Sequence, residues 1–233
     1  MRLLLTRPEP DAARTAAALR AAGHEVLAAA VLRIEPVAAD LGAGPWAAVL
    51  LTSANAARAV AAHPRRDELS RCPVLAVGRR SAEAARRAGF ADVVSADGDV
   101  AALVALAAAR FAGTRLLYLA GQERAGDLAV DLARHGLDVH TVVVYAAVAQ
   151  ALRPDVQATL AAGAIDGVVH YSPRSAAAFL DGARRAGLMP AVIAGAHYCL
   201  SAAVAAPLVA AGVATVRIAP TPDEPALLGL IGT

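Results

Sequence analysis

Lysine is missing from this chain: all 22 basic residues are arginine. That excludes Schiff-base chemistry, a lysine-dependent pyridoxal phosphate site and a Walker phosphate loop, each of which needs a lysine amine. Aromatic residues make up only 3% of the 233 residues, too few for a platform that stacks bases or a flavin. Cysteine occurs twice, at Cys72 and Cys199, with no metal-ligand spacing around either. Both are expected as buried, reduced thiols, each at the start of a strand, in keeping with a reducing compartment. The longest apolar run, residues 202–216, is interrupted by Pro207 and Gly212 and is too short to span a bilayer. The opening MRLLLTRPEP lacks the long apolar core of a signal peptide, so the expected location is the cytoplasm. Net charge is only +2 with no basic block, which argues against nucleic acid as a partner.

What is present is one grammar, written repeatedly. A short β-rich run ends in hydroxyl, glycine or proline residues. An alanine-rich segment with apolar spacing of three and four follows. A glycine then closes it: Gly23, Gly89, Gly136 and Gly212 each precede another short strand. The order of motifs also repeats. RLLLTRPEPDAARTAAALRAAG from Arg2 matches RLLYLAGQERAGDLAVDLARHG from Arg115. AAVLLTSANAARAVA from Ala47 matches DGVVHYSPRSAAAFL from Asp166. VLAVGRRSAEAARRAGFADVV from Val74 matches HYCLSAAVAAPLVAAGVATVR from His197. The distance between copies grows in small steps, as loop insertions would produce.

Strand-helix alternation of this kind predicts parallel sheets covered by helices. The expected fold class is therefore α/β: two flavodoxin-like or Rossmann-like lobes from an internal duplication. Two wirings fit the residues equally well. The lobes are consecutive, 1–112 and 113–233, or the first unit completes the C-terminal lobe. In the second wiring, Val31 to Val37 (VLRIEPV) and Val142 to Val148 (VVVYAAV) are adjacent connecting strands.

Open α/β sheets bind ligands beyond the carboxyl ends of their strands. Six such ends are readable: Thr6-Arg7-Pro8, Thr52-Ser53-Ala54-Asn55, Gly78-Arg79-Arg80-Ser81, Gly121-Gln122-Glu123-Arg124, Ser172-Pro173-Arg174-Ser175 and Ser201-Ala202-Ala203. Free backbone N–H groups and the helix dipole favour anions there, each end contributing about 0.3–1 kcal/mol. Arginine forks at Arg7, Arg79, Arg124 and Arg174 suit carboxylates. Taken singly, Ser53, Ser81, Ser172 and Ser201 read equally as helix N-caps. His170 and Ser172 share a strand face, but a strand-end histidine is more often structural. No nucleophile elbow, metalloprotease helix or paired catalytic carboxylate is present.

The ordered motifs LLLTRP (3–8), VLLTSANAARAV (49–60), LAVGRRSAEAARRAG (75–89), GLDVHTVVVY ending at Tyr145, VVHYSPRSAAAF (168–179) and CLSAAVAAPLVAAG (199–212) resemble the uroporphyrinogen-III synthase family. The resemblance covers nearly the whole chain. It implies the second wiring: one lobe from 1–30 with 149–233, another from 38–141, and 31–37 with 142–148 as a two-stranded β connector. It implies a cofactor-free, metal-free cyclisation of hydroxymethylbilane, held between the lobes, by a monomer in transient contact with the enzyme that supplies the bilane. Tyr145 falls at the family's cleft tyrosine, proposed to assist departure of the substrate hydroxyl; a phenol is protonated at neutral pH and can donate. Ser81 stands where the family commonly has threonine. Ser201, Ala202 and Ala203 replace its usual Gly-x-Thr, so that hydroxyl contact is lost or moved to Ser201. The competing readings are a non-catalytic two-lobed sensor of an anionic metabolite and a flavodoxin-like redox protein.

Overall fold

The computed structural model describes residues 1–124 and 126–232. Along the chain the elements begin with β1 (Arg2–Leu5), α1 (Asp11–Ala21), β2 (Glu25–Ala28) and β3 (Leu32–Pro36). Next come β4 (Ala48–Leu51), α2 (Ala54–Val60), α3 (Arg66–Leu69), β5 (Val74–Ala76), α4 (Arg79–Arg87), β6 (Val93–Ser95) and α5 (Val100–Phe111). Then follow β7 (Arg115–Gly121), α6 (Leu128–Ala133), β8 (Asp138–Ala149), α7 (Pro154–Ala161), β9 (Gly167–His170), α8 (Pro173–Arg185) and α9 (Met189–Ala194). The chain closes with β10 (Ala196–Cys199), α10 (Ala202–Ala210), β11 (Thr215–Ile218) and α11 (Glu224–Ile231).

These elements form two compact units, residues 1–33 with 148–233 and residues 34–147. The first holds a five-stranded sheet in the order β11-β10-β9-β1-β2, every neighbouring pair parallel. β1 lies inside it, so Leu3, Leu4 and Leu5 are all fully buried. A parallel strand covered on both faces reads as such a continuous apolar run. On one face Leu3, Leu5, Val169 and Tyr198 pack against Ala12, Ala16 and Leu19 of α1 and Leu227 and Ile231 of α11.

The second unit holds the strand order β3-β8-β7-β4-β5-β6, parallel from β8 through β6. Alternation along β4 sends Val49 and Leu51 to one core and Ala48 and Leu50 to the other. Ala56, Ala57 and Ala85 cover the first face; Leu103, Ala107 and Leu132 cover the second. Alanine lets α2 and α4 lie close to the sheet.

The four helix-closing glycines all take left-handed φ values, 86° at Gly23, 95° at Gly89, 74° at Gly136 and 81° at Gly212. Two details differ from expectation. Cys199 ends β10 instead of starting a strand, and it is buried while Cys72 is only half-buried; both are free thiols. The strand around Tyr145 is twelve residues long, because Asp138 to Thr141 continue the pairing with β7. Among the described residues no helix is long and apolar enough to cross a membrane.

Candidate functional site

In the second unit the chain runs from β4 outward to β5 and β6, then returns to place β7 and β8 on the other side. The connections leaving β4 and β7 therefore diverge at their carboxyl ends, which opens a crevice in a doubly wound sheet. A cavity of about 270 Å³ lies there. Thr52 and Ser53 follow β4 into it, Tyr118 and Gly121 enter from β7, and Tyr145 from β8. Arg124, Glu123, Asp127 and Asp131 complete its charged wall.

Tyr145 is aimed by an irregularity in the ladder. Ala120 pairs with Val143, but Gly121 pairs with Tyr145, leaving Val144 as an extra residue on β8. Such a bulge re-aims the side chains that follow it. The Gln122 N–H donates to the Tyr145 carbonyl at 2.9 Å and fixes the new register. Gly121 makes room for the ring: a Cβ there would lie 2.6 Å from the ring Cζ and 2.7 Å from the hydroxyl. The half-buried phenol thus rests directly on the β7 backbone.

Tyr118 is a site residue that the sequence reading passed over. Its ring is buried among Ala48, Leu50, Leu116 and Ala120, and its hydroxyl lies 2.8 Å from Thr52 Oγ1. Burial pushes the Tyr118 phenol above its ordinary pKa, the Thr52 hydrogen bond opposes this, and Tyr145 adds to the upward shift. One signal was available. Tyr118 is the only polar-tipped side chain inside the apolar strand LLYLA, and a buried tyrosine hydroxyl needs a partner.

The charges differ from the expected ring of arginines. Arg124 is the one cation among the described lining residues, beside three carboxylates. Of these, Asp127 accepts the N–H groups of Ala129 and Val130, Asp131 holds Arg134 at 2.9 Å, and Glu123 also has a partner. Arg79 begins α4 with its side chain 84% exposed, 3.4 Å from Asp97, and does not line the cavity. Gly78 caps α4, so Ser81 is no cap; it is buried within the helix. Ser53 does cap α2 by accepting the Asn55 N–H, and Asn55 Oδ1 accepts from Arg58 at 2.7 Å.

In the first unit the corresponding reversal lies between β1 and β9. Here Thr6 and Arg7 require correction as open ligand groups. Thr6 is fully buried, with its hydroxyl 3.0 Å from the Val169 carbonyl and 3.2 Å from His170 Nδ1. Arg7 is buried under Tyr171, its guanidinium 4.2 Å from the ring centre. It donates to Thr15 at 2.9 Å and to Glu224 at 3.0 Å. Glu224 also accepts from Thr15, from Tyr171 and from Arg14. Burial alone would raise the Glu224 carboxyl, but these donors together with Arg7 bring it below the usual carboxylate range. Burial, with the Glu224 charge beside it, pushes the Tyr171 phenol up to about 12.

Ser172 caps α8 by accepting the Ser175 N–H and donates its own proton to Ser175 Oγ at 2.8 Å; Ser175 is buried. Arg174 is half-buried in the first turn of α8. Ser201 caps α10 with no side-chain hydrogen bond and stays half-exposed. His170 is unsuited to activate Ser172, because its ring is buried between Thr6 and His197. A larger cavity in this unit, about 400 Å³, is lined by Ala29, Ala30, Arg33 and residues 148–153. Six of its nine lining residues are alanine, valine or leucine, and Asp155 takes up Arg153 through two hydrogen bonds. The smaller cavity in the second unit is therefore the better candidate. Among the described residues no cluster of three or more His, Cys, Asp or Glu could hold a metal ion.

No curated protein matches the chain significantly. The family profile described as uroporphyrinogen-III synthase HemD matches residues 13–229. The chain belongs to the uroporphyrinogen-III synthase family. Thr52, Tyr118 and Tyr145 lie inside the matched stretch, whereas the buried Thr6 and Arg7 precede it. The fold agrees with that of uroporphyrinogen-III synthetase from Helicobacter pylori. The TM-score is 0.71 at 19% identity, over 99% of this chain and 98% of that one. A mutant uroporphyrinogen III synthase from the extremely thermophilic bacterium Thermus thermophilus is similar at a TM-score of 0.55 and 17% identity, over 99% and 96% of the two chains. This uroporphyrinogen-III synthase family member has the phenols of Tyr118 and Tyr145 at its β4/β7 reversal, and Ser201 as the cap of α10.

Proposed function

We propose that the chain catalyses the cofactor-free cyclisation of hydroxymethylbilane to uroporphyrinogen III, with loss of water and inversion of ring D. The match to the uroporphyrinogen-III synthase family over residues 13–229 carries this reading. The crevice supports it by offering hydroxyl donors beside a phenol.

The chemistry follows from the substrate. The C–O bond of the hydroxymethyl group breaks, the oxygen leaves with a proton as water, and an azafulvene cation remains. The substituted carbon of ring D bonds to that cation and gives a spiro intermediate. This intermediate fragments and recombines at the other ring carbon, and loss of a proton restores the pyrrole. No electron is gained or lost, so no redox group is needed. The protein's work is to hydrogen-bond the departing hydroxyl, which we assign to Tyr145, and to hold the chain folded. The cavity is smaller than the ~300–1,000 Å³ of common ligand pockets, so it takes the reacting end and leaves the other rings outside.

We assign substrate contacts in the second unit to Thr52, Ser53, Gly121 and Arg124, with Asn55, Gly78, Arg79 and Ser81 forming the adjoining rim. In the first unit we assign substrate contacts to Ser172, Arg174 and Ser201, and Thr6, Arg7 and Ser175 hold the rim in shape. We read the two sheets as products of an internal duplication. In its support, β9, β10, β11, β1 and β2 follow the same spatial order as β4, β5, β6, β7 and β8. Residues 31–37 and 142–148 are read as a connector between 1–30 with 149–233 and 38–141. The bonds from Val37 N–H to Val144 and from Gln150 N–H to Val31 fit one antiparallel register there. A cytoplasmic monomer that receives its unstable substrate by transient contact with the bilane-forming enzyme completes the reading.

Freshly prepared hydroxymethylbilane added to the purified protein tests it. Uroporphyrinogen III is the expected product; type I alone would reject the assignment. Tight binding of uroporphyrinogen with no turnover would favour a sensor instead.

A further inference from the structure

The Thr52–Tyr118 pair has a property that the proposed reaction can use. Each hydroxyl carries one proton and accepts as well. The 2.8 Å bond between them consumes one proton, whichever oxygen donates it. The other O–H is left over, and among the described residues neither oxygen has a second partner. Both side chains line the cavity that Tyr145 enters. Leaving a donor unused beside a buried ring is unfavourable, so the position calls for an acceptor from the cavity. The nearby carboxylates Asp127 and Asp131 are occupied by backbone N–H groups and by Arg134. Arg124 places positive charge on the same wall and makes no ion pair among the described residues.

We infer that the Tyr118–Thr52 hydroxyl pair, with Arg124, holds one carboxylate arm of the substrate beside Tyr145 and thereby determines which ring carbon meets the cation. This rests on the cyclase reading and deepens it. The ligand class is an alkyl carboxylate on a pyrrole ring. The pair is redundant by construction. If Tyr118 loses its hydroxyl, Thr52 turns its proton toward the ligand; if Thr52 is lost, Tyr118 does the same. Burial keeps Tyr118 protonated, so it remains a donor across neutral pH.

The test uses Tyr118→Phe, Thr52→Val and the double variant, each matched in shape to the native side chain. Turnover of hydroxymethylbilane is read with KM, kcat and the ratio of type III to type I product, beside a thermal melt. Each single change is expected to raise KM less than about fivefold. The double change is expected to raise it at least about tenfold, in line with losing a hydrogen bond to a charged group, and to raise the share of type I. A merely structural pair would lower the melting temperature and leave KM and the isomer ratio where they were; that result overturns the inference.

A second measurement keeps the question decidable if the double variant does not fold. Wild type labelled with 13Cζ-tyrosine has four such signals, and the one lost in Tyr118→Phe identifies Tyr118. That signal is expected to shift when uroporphyrinogen III is added, and less so in Arg124→Gln. No shift at saturating uroporphyrinogen III refutes the contact. Because this readout is binding and not turnover, it separates a failure of the inference from a failure of the cyclase reading, which the wild-type product decides.

Discussion

At the scale of single residues, the site depends on one missing methyl group. Gly121 allows the Tyr145 ring to lie on the β7 backbone, and nothing larger fits without moving that ring. Gly121→Ala is expected to cost about 1–3 kcal/mol in stability through overpacking and to displace the phenol. Its rate should then fall toward that of Tyr145→Phe, for which a loss of about 10²–10⁴-fold in kcat is expected if the phenol acts as a general acid. Steady-state turnover of both variants, with melting curves, checks the pair of expectations. Unchanged kinetics in Tyr145→Phe would remove the phenol from the mechanism. Residue identity alone did not reveal these roles equally. The apolar strand around Tyr118 marked a buried hydroxyl, but not its partner, because Thr52 is 66 residues away. Arg7 was misread as an open anion contact because Glu224, which occupies it, is 217 residues away. A charged side chain announces its chemistry in the sequence; whether it is already spoken for is decided by distant contacts.

At the scale of elements, two buried polar arrangements hold the first unit together. The Glu224 carboxylate ties α11 to the end of β1 through Arg7 and to α1 through Thr15. Glu224→Ala takes the nearer of two carboxylates from the buried Arg7 guanidinium, leaving Asp11 at 3.6 Å, and is expected to cost about 3 kcal/mol, measured by denaturant unfolding. The second arrangement is a chain of imidazoles. His197 Nε2 meets the Val192 carbonyl at 3.0 Å and must carry the proton there. His197 Nδ1 then accepts from His170 Nε2 at 3.0 Å, and His170 Nδ1 faces Thr6. Burial, and for His170 the neighbouring His197, holds both rings below the ordinary imidazole pKa. Folding therefore favours the neutral rings, and the unfolded chain binds more protons as pH falls through about 6.5. Stability is expected to be full above that pH and to decline below it, by up to about 1.4 kcal/mol per pH unit for each ring. Denaturant midpoints at pH 7.5, 6.5 and 5.5 test this; equal midpoints would contradict it. The strand-helix alternation and the helix-closing glycines were legible because they are local. The bulge that aims Tyr145 was not, since an extra residue in β8 exists only relative to its partner in β7.

At the scale of the whole molecule, the chain's first strand is a central strand of a sheet whose other main members come from its last third. β1 pairs with β9 on one side and β2 on the other. The residues alone left open whether β1 stays with its sequence neighbours, because strand partners more than a hundred residues apart leave no local trace. Removing residues 1–30 takes β1 and β2 out of the first sheet and strips cover from Leu227 and Ile231. Such a truncation is expected to expose the first unit to protease while a fragment spanning about residues 34–147 survives, since that unit has its own two-faced core. Limited proteolysis with mass analysis checks it, and equal resistance of both units would count against it.

This topology also bears on synthesis. Leu3, Leu4 and Leu5 are translated more than 160 residues before the end of the strand that covers one flank, Gly167–His170. The middle of the polypeptide can fold as soon as residue 147 has emerged, while the nascent leucines stay uncovered. A segment made before the middle unit is thus placed after it, and for that interval it is a natural client for a chaperone.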